Sequence, residues 1–157
     1  MKNEKLIMLP VHEYVGVDHD DPIRQYTHPI FGNLYKKRIE TCLSECVHGD
    51  KILEVGYGTG VTFFNLAKKY NQIYGIDLKS NSKEITELFS SKGLQVDLRQ
   101  GDLLKLPFSD NMFDTVLLIS ILEHIKPEYL TLAFSELHRV LKKGGQLVYG
   151  VPVDSIF

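Results

Sequence analysis

The sequence predicts an α/β fold, in which a mostly parallel β-sheet is covered by helices on both faces. The chain has 157 residues, a length that suits one domain with a single sizeable core. From residue 49 onwards, short apolar runs typical of strands alternate with runs of helical periodicity. Regular alternation of this kind favours parallel strands joined by helices that pack on the two faces of the sheet.

Residues 1–48 are predicted to form an irregular arm followed by a helix. The first thirty residues lack periodicity and contain three prolines, which favour loops. From Phe31 the apolar residues recur at helical spacing, and Gly49 is expected to close the helix. The residues predicted to face the core are Phe31, Leu34, Tyr35, Ile39, Cys42, Leu43 and Cys46. The adjacent basic run "KKR" is interpreted as a solvated face.

Residues 49–157 are predicted to form the ligand-binding domain. Five runs have strand character: "KILEV", "QIYGID", "QVDLRQ", "FDTVLLIS" and "GGQLVYGV". Helices are expected over residues 61–70, after a capping box formed by Asn81 and Glu84, and after Pro127. In a sheet of this kind ligands bind at the carboxyl ends of the strands.

A glycine-rich turn, "EVGYGTG", follows the first predicted strand. Glycines at such a turn allow positive φ angles and close approach of the backbone to a ligand. The dinucleotide-binding fingerprint requires a third small residue where this chain has Val61, so the strict pattern fails. Glu54, two residues before the first glycine, would repel a pyrophosphate and would favour a cationic ligand.

Asp77 ends the second predicted strand, about 20 residues after the first glycine. An acidic residue at that position accepts hydrogen bonds from the two hydroxyls of a ribose. A ribose together with a cation is the chemistry of S-adenosylmethionine, which carries an adenosine, a sulfonium and an ammonium group and has no phosphate. The sequence therefore predicts this cofactor, with S-adenosylhomocysteine as the product.

Five segments in order resemble the motifs of the class I S-adenosylmethionine-dependent methyltransferases, in particular the small-molecule branch. They are "ILEVGYGTG", "GIDL", "GDLLKLPFSDNMFDTV", "ISILEHI" and "ELHRVLKKGGQLVYGVP", and together they cover roughly residues 48–152. The resemblance implies a Rossmann-like three-layer sandwich and methyl transfer to a small-molecule acceptor whose identity stays open.

The resemblance also implies which residues bind the cofactor. Those expected at the methionine portion are Glu54, Gly56, Tyr57, Gly58, Gly60, Ile119 and Ser120. Those expected at the ribose and the adenine are Asp77, Leu78, Asp102 and Leu103. In this family the segment before the sheet often forms a lid, which makes Tyr26 a further candidate contact.

Methyl transfer from a sulfonium needs alignment of the acceptor more than it needs a catalytic base. An acceptor that must lose a proton would benefit from His124, which follows the fourth predicted strand. The alternative for His124 is a structural hydrogen bond. Two other functions stay open: a binding module that keeps the cofactor without catalysis, and a nicotinamide-dependent oxidoreductase, which Glu54 and Val61 oppose.

Composition argues against several classes of partner. The chain has 18 Lys and Arg against 20 Asp and Glu, so no overall positive charge attracts nucleic acid or an anionic membrane. No apolar run is long enough for a membrane span, and we expect a cytoplasmic protein with reduced Cys42 and Cys46. The acidic run Asp18 to Asp21, which includes His19, is interpreted as a solvated loop, and no metal site is expected.

Members of the family usually continue with a helix and two more strands after the fifth strand. The sequence has no counterpart of strands six and seven after Pro152, so we expect a sheet truncated after the fifth strand. Its last strand would then be an exposed apolar edge, which is prone to pair with another strand. Either the chain is a piece of a longer enzyme or a homodimer covers this edge.

Overall fold

The computed structural model describes residues 4–16, 22–29 and 31–152, so the acidic run Asp18 to Asp21 lies outside the described residues. The strands are β1 Gly49–Val55, β2 Tyr70–Asp77, β3 Val96–Gln100, β4 Phe113–Ile119 and β5 Leu141–Gly150. The helices are α1 Gly32–Glu45, α2 Phe63–Leu66, α3 Ser82–Ser91 and α4 Leu130–Val140. Short 3-10 helices are Val11–Glu13, Pro22–Thr27, Leu103–Lys105, Leu122–His124 and Pro127–Tyr129.

The five strands form one sheet in the order β3-β2-β1-β4-β5, and every neighbouring pair is parallel. This arrangement confirms the predicted α/β fold. The strand order reverses between β1 and β4, because the chain leaves β1 towards one edge and later returns to the other. Ligands of such sheets bind in the crevice at this reversal, outside the carboxyl ends of the two strands.

The sheet separates two hydrophobic clusters, as alternating side chains of a parallel sheet require. On one face Ile52, Ile73 and Leu117 pack with residues of α1, α2 and α3. On the other face Leu53 and Val116 pack with α4, and the loop between β3 and β4 joins the same cluster. The layers are therefore helix, sheet and helix, as expected for a three-layer sandwich.

The N-terminal segment, residues 4–9, packs against the first cluster and is held there by polar side chains. The buried side chain of Asn65 accepts a hydrogen bond from the amide of Ile7 at 2.8 Å and donates to the carbonyl of Lys5 at 2.9 Å. The ammonium of Lys69 lies 2.6 Å from the carboxylate of Glu4. These contacts attach the start of the chain to α2 and to the residues that follow it.

Two predicted helices differ from the observed ones. α1 ends at Glu45, and Gly49 begins β1 rather than closing the helix. The helical part of the predicted segment 61–70 is confined to Phe63–Leu66, because β2 already starts at Tyr70. The predicted cap at Asn81 is confirmed, since its side chain accepts a hydrogen bond from the amide of Glu84 at 3.3 Å.

The predicted apolar face of α1 is wrong at its first turn. Phe31 and Leu34 are 55% and 67% exposed, whereas Ile39 and Leu43 are buried. At 3.6 residues per turn Leu34 lies about 140° around the helix from Ile39, on the side away from the sheet. The apolar stripe therefore comprises fewer residues than the sequence pattern indicated.

β3 and β5 are the two edge strands of the described sheet. Tyr149 on β5 is 53% exposed, and the predicted apolar edge of a truncated sheet stays a prediction. Among the described residues we find no helix with the length and apolar character that a membrane crossing requires.

Candidate functional site

The glycine loop between β1 and α2 forms the floor of the candidate site. Gly56, Gly58 and Gly60 have φ angles of 73°, 54° and 78°, a region that glycine adopts without strain. A Cβ atom at Gly56 would lie 2.0 Å from the Cδ1 atom of Ile121, so a larger residue cannot fit there. At the carboxyl end of β1 the backbone of the loop is thus in close contact with the segment that follows β4.

Asp77, at the end of β2, is hydrogen bonded to this loop. One carboxylate oxygen accepts from the amide of Gly58 at 3.0 Å, and the other accepts from the amides of Lys79 and Ser80, both at 2.9 Å. The hydroxyl of Ser80 also donates to the carbonyl of Gly58 at 2.9 Å. Since a carboxylate has about four acceptor positions, about one position is left for a ligand. To accept hydrogen bonds from both hydroxyls of a ribose, Asp77 would therefore have to give up one of its hydrogen bonds from a backbone amide.

Glu54 is buried at the end of the central strand, with 4% of its surface exposed. The hydroxyl of Thr62 donates a hydrogen bond to one oxygen of this carboxyl group. Burial raises the pKa of Glu54 to about 8, the nearby charge of Asp77 adds to the rise, and the hydrogen bond from Thr62 opposes it. Without a ligand this pKa favours the neutral acid, and a cation placed beside Glu54 would favour the carboxylate instead.

Two polar side chains of the glycine loop are buried without a hydrogen-bond partner in the described structure. They are the hydroxyl groups of Tyr57 and Thr59. The ring of Tyr57 packs in the first cluster beside Phe63, and Gly75 leaves room for it, since a Cβ there would lie 2.6 Å from the Tyr57 ring. Unpaired buried hydroxyls are costly, so their presence in this loop favours a site that a polar ligand completes.

The carboxyl end of β4 lies beside the glycine loop. Ile119 is the last residue of the strand and packs against the first cluster. Ser120 has a positive φ of 57°, and its amide donates to the carbonyl of Gly150 at 2.7 Å. The guanidinium of Arg38, on α1, donates to the hydroxyl of Ser120 at 2.7 Å.

Sequence reasoning missed Arg38, because it assigned the whole "KKR" run to the solvent face. The position of Arg38 could have indicated a role, because Arg38 directly precedes the buried Ile39 and lies at the border of the apolar stripe. The contact with Ser120 joins residues 82 apart in the chain, so no local pattern indicates it.

The residues predicted for the adenosine lie at the ends of β2 and β3. Leu78 is 62% exposed, and its carbonyl accepts a hydrogen bond from Gln100 at 3.1 Å. The side chain of Asp102 is exposed and caps the next turn by accepting from the amide of Leu104 at 2.9 Å. Leu103 is buried in the second cluster, where its side chain contributes to the core. A role for Leu103 at the adenine stays a prediction.

His124 and Tyr26 have different surroundings. His124 is exposed in the 3-10 helix after β4, where its amide donates to the carbonyl of Ile121 at 3.0 Å. Tyr26 is buried in the first cluster, and its ring meets that of Tyr35 edge to face at 6.4 Å. Their roles as catalytic base and as cofactor contact stay predictions.

The glycine loop, the acidic residues near the carboxyl ends of β1 and β2 and the parallel sheet are features of a class I S-adenosylmethionine-dependent methyltransferase. Residues 53–149, well over half of the chain, match the family model described as a methyltransferase domain. The chain belongs to this methyltransferase family.

Three known proteins illustrate the similarity. The demethylmenaquinone methyltransferase of Staphylococcus aureus is 32% identical over an alignment of 145 positions, which covers 80% of this chain and 59% of that protein. The solved [4+2]-cyclase SpnF is 30% identical, with a TM-score of 0.61 over 72% of this chain and 44% of its own. The complex of DhpI with SAM and HEP, at 20% identity, has the same fold, with a TM-score of 0.65 over 83% of this chain and 60% of its own. The chain thus spans a little over half the length of the curated relatives it matches.

Proposed function

We propose that this protein binds S-adenosylmethionine and transfers its methyl group to a small-molecule acceptor. The single observation that supports this best is the buried carboxyl group of Glu54 beside a loop of three positive-φ glycines. A carboxylate there suits the cofactor's ammonium group and opposes a phosphate-bearing dinucleotide. Membership of the methyltransferase family supports the same cofactor.

The described residues fit this cofactor on several counts. The positive-φ backbone of Gly56 and Gly58 would lie along a methionine tail, and Glu54 would accept from its ammonium group. Asp77 would accept from the ribose, and the exposed Leu78 would cover the adenine. The unpaired hydroxyl of Thr59 offers a further hydrogen bond to a polar tail.

The bound cofactor would supply an activated methyl group on a positively charged sulfur, which leaves as a neutral thioether. The acceptor contributes the electron pair for the new bond, so the protein has to align the acceptor and exclude water. Ser120 and Ile119, at the reversal of strand order, would border this acceptor. Where the acceptor loses a proton, His124 would receive it on its imidazole.

A small-molecule acceptor is supported by the relatives. The Staphylococcus aureus relative is named for a small organic substrate, demethylmenaquinone.

We propose the cytoplasm as the location of the activity, and cell fractionation tests this.

Calorimetric titration of the folded protein with S-adenosylhomocysteine tests the proposal. We expect saturable binding of one molecule per chain and much weaker binding of NADH, which carries a pyrophosphate. Glu54→Gln keeps the shape of the side chain but cannot ionise, so we expect it to weaken binding. Absence of S-adenosylhomocysteine binding by folded protein, or tighter binding of NADH, would contradict the proposal.

A second candidate function is cofactor binding without methyl transfer. The similarity to SpnF, a [4+2]-cyclase, favours it, because the same fold there is named for a different reaction. Incubation with S-adenosylmethionine carrying an isotopically labelled methyl group separates the two candidates. Labelled product from any acceptor would exclude the second one.

A further inference from the structure

Asn65 lies on α2, the single helical turn that follows the glycine loop, and its side chain is fully buried. The amide group of this side chain is bonded to the N-terminal segment, residues 4–9. Its oxygen accepts from the amide of Ile7 at 2.8 Å, and its nitrogen donates to the carbonyl of Lys5 at 2.9 Å and to the carboxylate of Glu4 at 3.2 Å. The hydrogen-bonding capacity of Asn65 is therefore spent mostly on this segment.

Thr62 directly precedes α2 and connects this helix to the buried carboxyl group of Glu54. The amides of Asn65 and Leu66 donate to the carbonyl of Thr62 at 2.9 and 3.0 Å, so Thr62 is bonded to the one turn of α2. The hydroxyl of Thr62 does not cap this helix and donates instead to the carboxyl group of Glu54. Since both side chains are buried, a displacement of Thr62 would take a donor from Glu54 that water does not readily replace.

α2 is too short to hold this position by its own hydrogen bonds. It comprises four residues, and the first turn of a helix costs more free energy than its hydrogen bonds return. Its position therefore depends on neighbouring segments. Phe63 and Leu66 supply apolar contacts in the first cluster, and Asn65 supplies polar ones. Hydrogen bonds are directional and apolar contacts are not, so Asn65 fixes how this turn is oriented.

We propose that Asn65 is a positioning residue of the cofactor site, which keeps the hydroxyl of Thr62 on Glu54 by bonding α2 to the N-terminal segment. The inference rests on the proposed function for its effect on the cofactor, whereas its effect on Glu54 needs no ligand. Glu54 would accept from the ammonium group of the cofactor, so its misalignment weakens cofactor binding. Asn65 thus acts on the site through Thr62, without touching the cofactor.

NMR of the ligand-free protein with 13C-labelled glutamate carboxyl groups tests the effect on Glu54. The hydrogen bond from Thr62 lowers the pKa of Glu54, against burial and the charge of Asp77, which raise it. We expect Glu54 to titrate at a higher pH in Thr62→Val, which lacks the hydroxyl, and in Asn65→Ala, which releases α2. Asn33→Ala, at an exposed position of α1, is the matched control and should titrate as the native protein does. A native titration of Glu54 in folded Asn65→Ala would overturn the inference.

A double-mutant cycle with S-adenosylhomocysteine as the ligand separates positioning from a merely structural role. We expect Thr62→Val and Asn65→Ala each to weaken binding about 3- to 10-fold, the range for one lost hydrogen bond. Because Asn65 acts through Thr62, the double variant should bind no more weakly than Thr62→Val does. Losses of affinity that add in the double variant would overturn the inference, since Asn65 would then act by another route.

Thermal unfolding of each variant shows whether it is folded. Should Asn65→Ala not fold, Ile7→Pro removes the amide hydrogen that Asn65 accepts, in a segment outside the sheet. We expect the same changes in the titration of Glu54 and in affinity, and native values for both would overturn the inference. Failure of the native protein to bind S-adenosylhomocysteine would overturn the proposed function, whereas the titration of Glu54 would still decide the role of Asn65.

Discussion

At the scale of single residues, the candidate site contains two carboxyl groups that differ in burial and in hydrogen bonding. Glu54 is buried, and its pKa is raised to about 8, whereas Asp77 is partly exposed and accepts three backbone hydrogen bonds. The folded protein therefore holds the Glu54 proton more tightly than the unfolded chain does. The preferential protonation of Glu54 in the folded protein therefore adds to the free energy of unfolding. This stabilisation is fully present below pH 4.5 and is lost as the pH rises through about 8.

We predict that Glu54→Gln stabilises the protein increasingly as the pH rises from 4.5 to about 8. Glutamine resembles the protonated acid and avoids the cost of a buried charge, so the gain in unfolding free energy should reach on the order of a few kcal/mol. Urea denaturation across this pH range measures the difference. Glu123→Gln, at an exposed position, is the control, and a pH-independent difference for Glu54→Gln would contradict the prediction.

We predict that Asp77→Ala weakens S-adenosylhomocysteine binding by about 1–3 kcal/mol, because ribose hydroxyls lose their acceptor. The same change releases the amide of Gly58, so part of the loss could come from a looser loop. Ser80→Ala removes the other hydrogen bond to Gly58 and leaves the carboxylate in place, which makes it the matched control. Calorimetry measures the S-adenosylhomocysteine affinity of both variants. An equal loss of affinity in the two would contradict a direct role of Asp77 at the ribose and would assign the effect to the loop.

At the scale of elements, α4 holds the loop that follows β3. Arg139 donates to the carbonyls of Leu106 and Phe108 at 2.9 and 2.8 Å and to the carboxylate of Glu136. Glu136 also accepts from the amide of Leu106 at 2.8 Å, and its pKa is lowered mainly by the hydrogen bond from Arg139. The loop that contains Asp102 is thereby fixed against a helix on the far side of the sheet from α1.

We predict that Arg139→Ala lowers the unfolding free energy by about 1–3 kcal/mol, because two loop carbonyls lose their donors. Chemical denaturation measures this loss. The control is Lys143→Ala at an exposed position, for which we expect less than about 0.5 kcal/mol. Equal stability of Arg139→Ala and the native protein would show that the hydrogen bonds from Arg139 do not stabilise the loop.

Elements with a strong local signal could be predicted from the sequence. All five strands and the glycine loop are predicted correctly, because an apolar run or a glycine cluster determines local structure within a few residues of the chain. α2 is shorter than predicted, since the start of β2 limits it, and Leu34 is exposed although its spacing resembled that of the apolar face. The contact between Arg38 and Ser120 could not be predicted, because it exists only once α1 lies across the end of β4.

At the scale of the whole molecule, the two edges of the sheet differ. β3 presents the charged side chains of Asp97 and Arg99, which are paired with each other at 3.1 Å. β5 presents the exposed ring of Tyr149 near its end and the exposed Lys143 near its start. Charged edges resist strand pairing and apolar edges promote it, so the part of β5 around Tyr149 is where strand addition can be tested.

We predict that two copies of this chain associate through β5. Sedimentation velocity at micromolar concentrations should give a dimer, and Tyr149→Lys should shift it towards monomer by placing a charge on the edge. Tyr129→Lys, at another exposed tyrosine, is the control. A stable monomer of the native chain over the same concentrations would contradict the prediction.

The strand order also determines the sequence in which the sheet can assemble. Of the five described strands, β1 is synthesised first and occupies the centre, yet one of its sides pairs with β4, which begins at residue 113. Until that point the growing chain can complete only the half made of β1, β2 and β3. The pairing of β1 with β4 closes a long loop, and such non-local contacts slow folding. The open side of β1 is therefore the strand edge that stays unpaired longest in a nascent chain, and its pairing with β4 completes the crevice at the reversal of strand order.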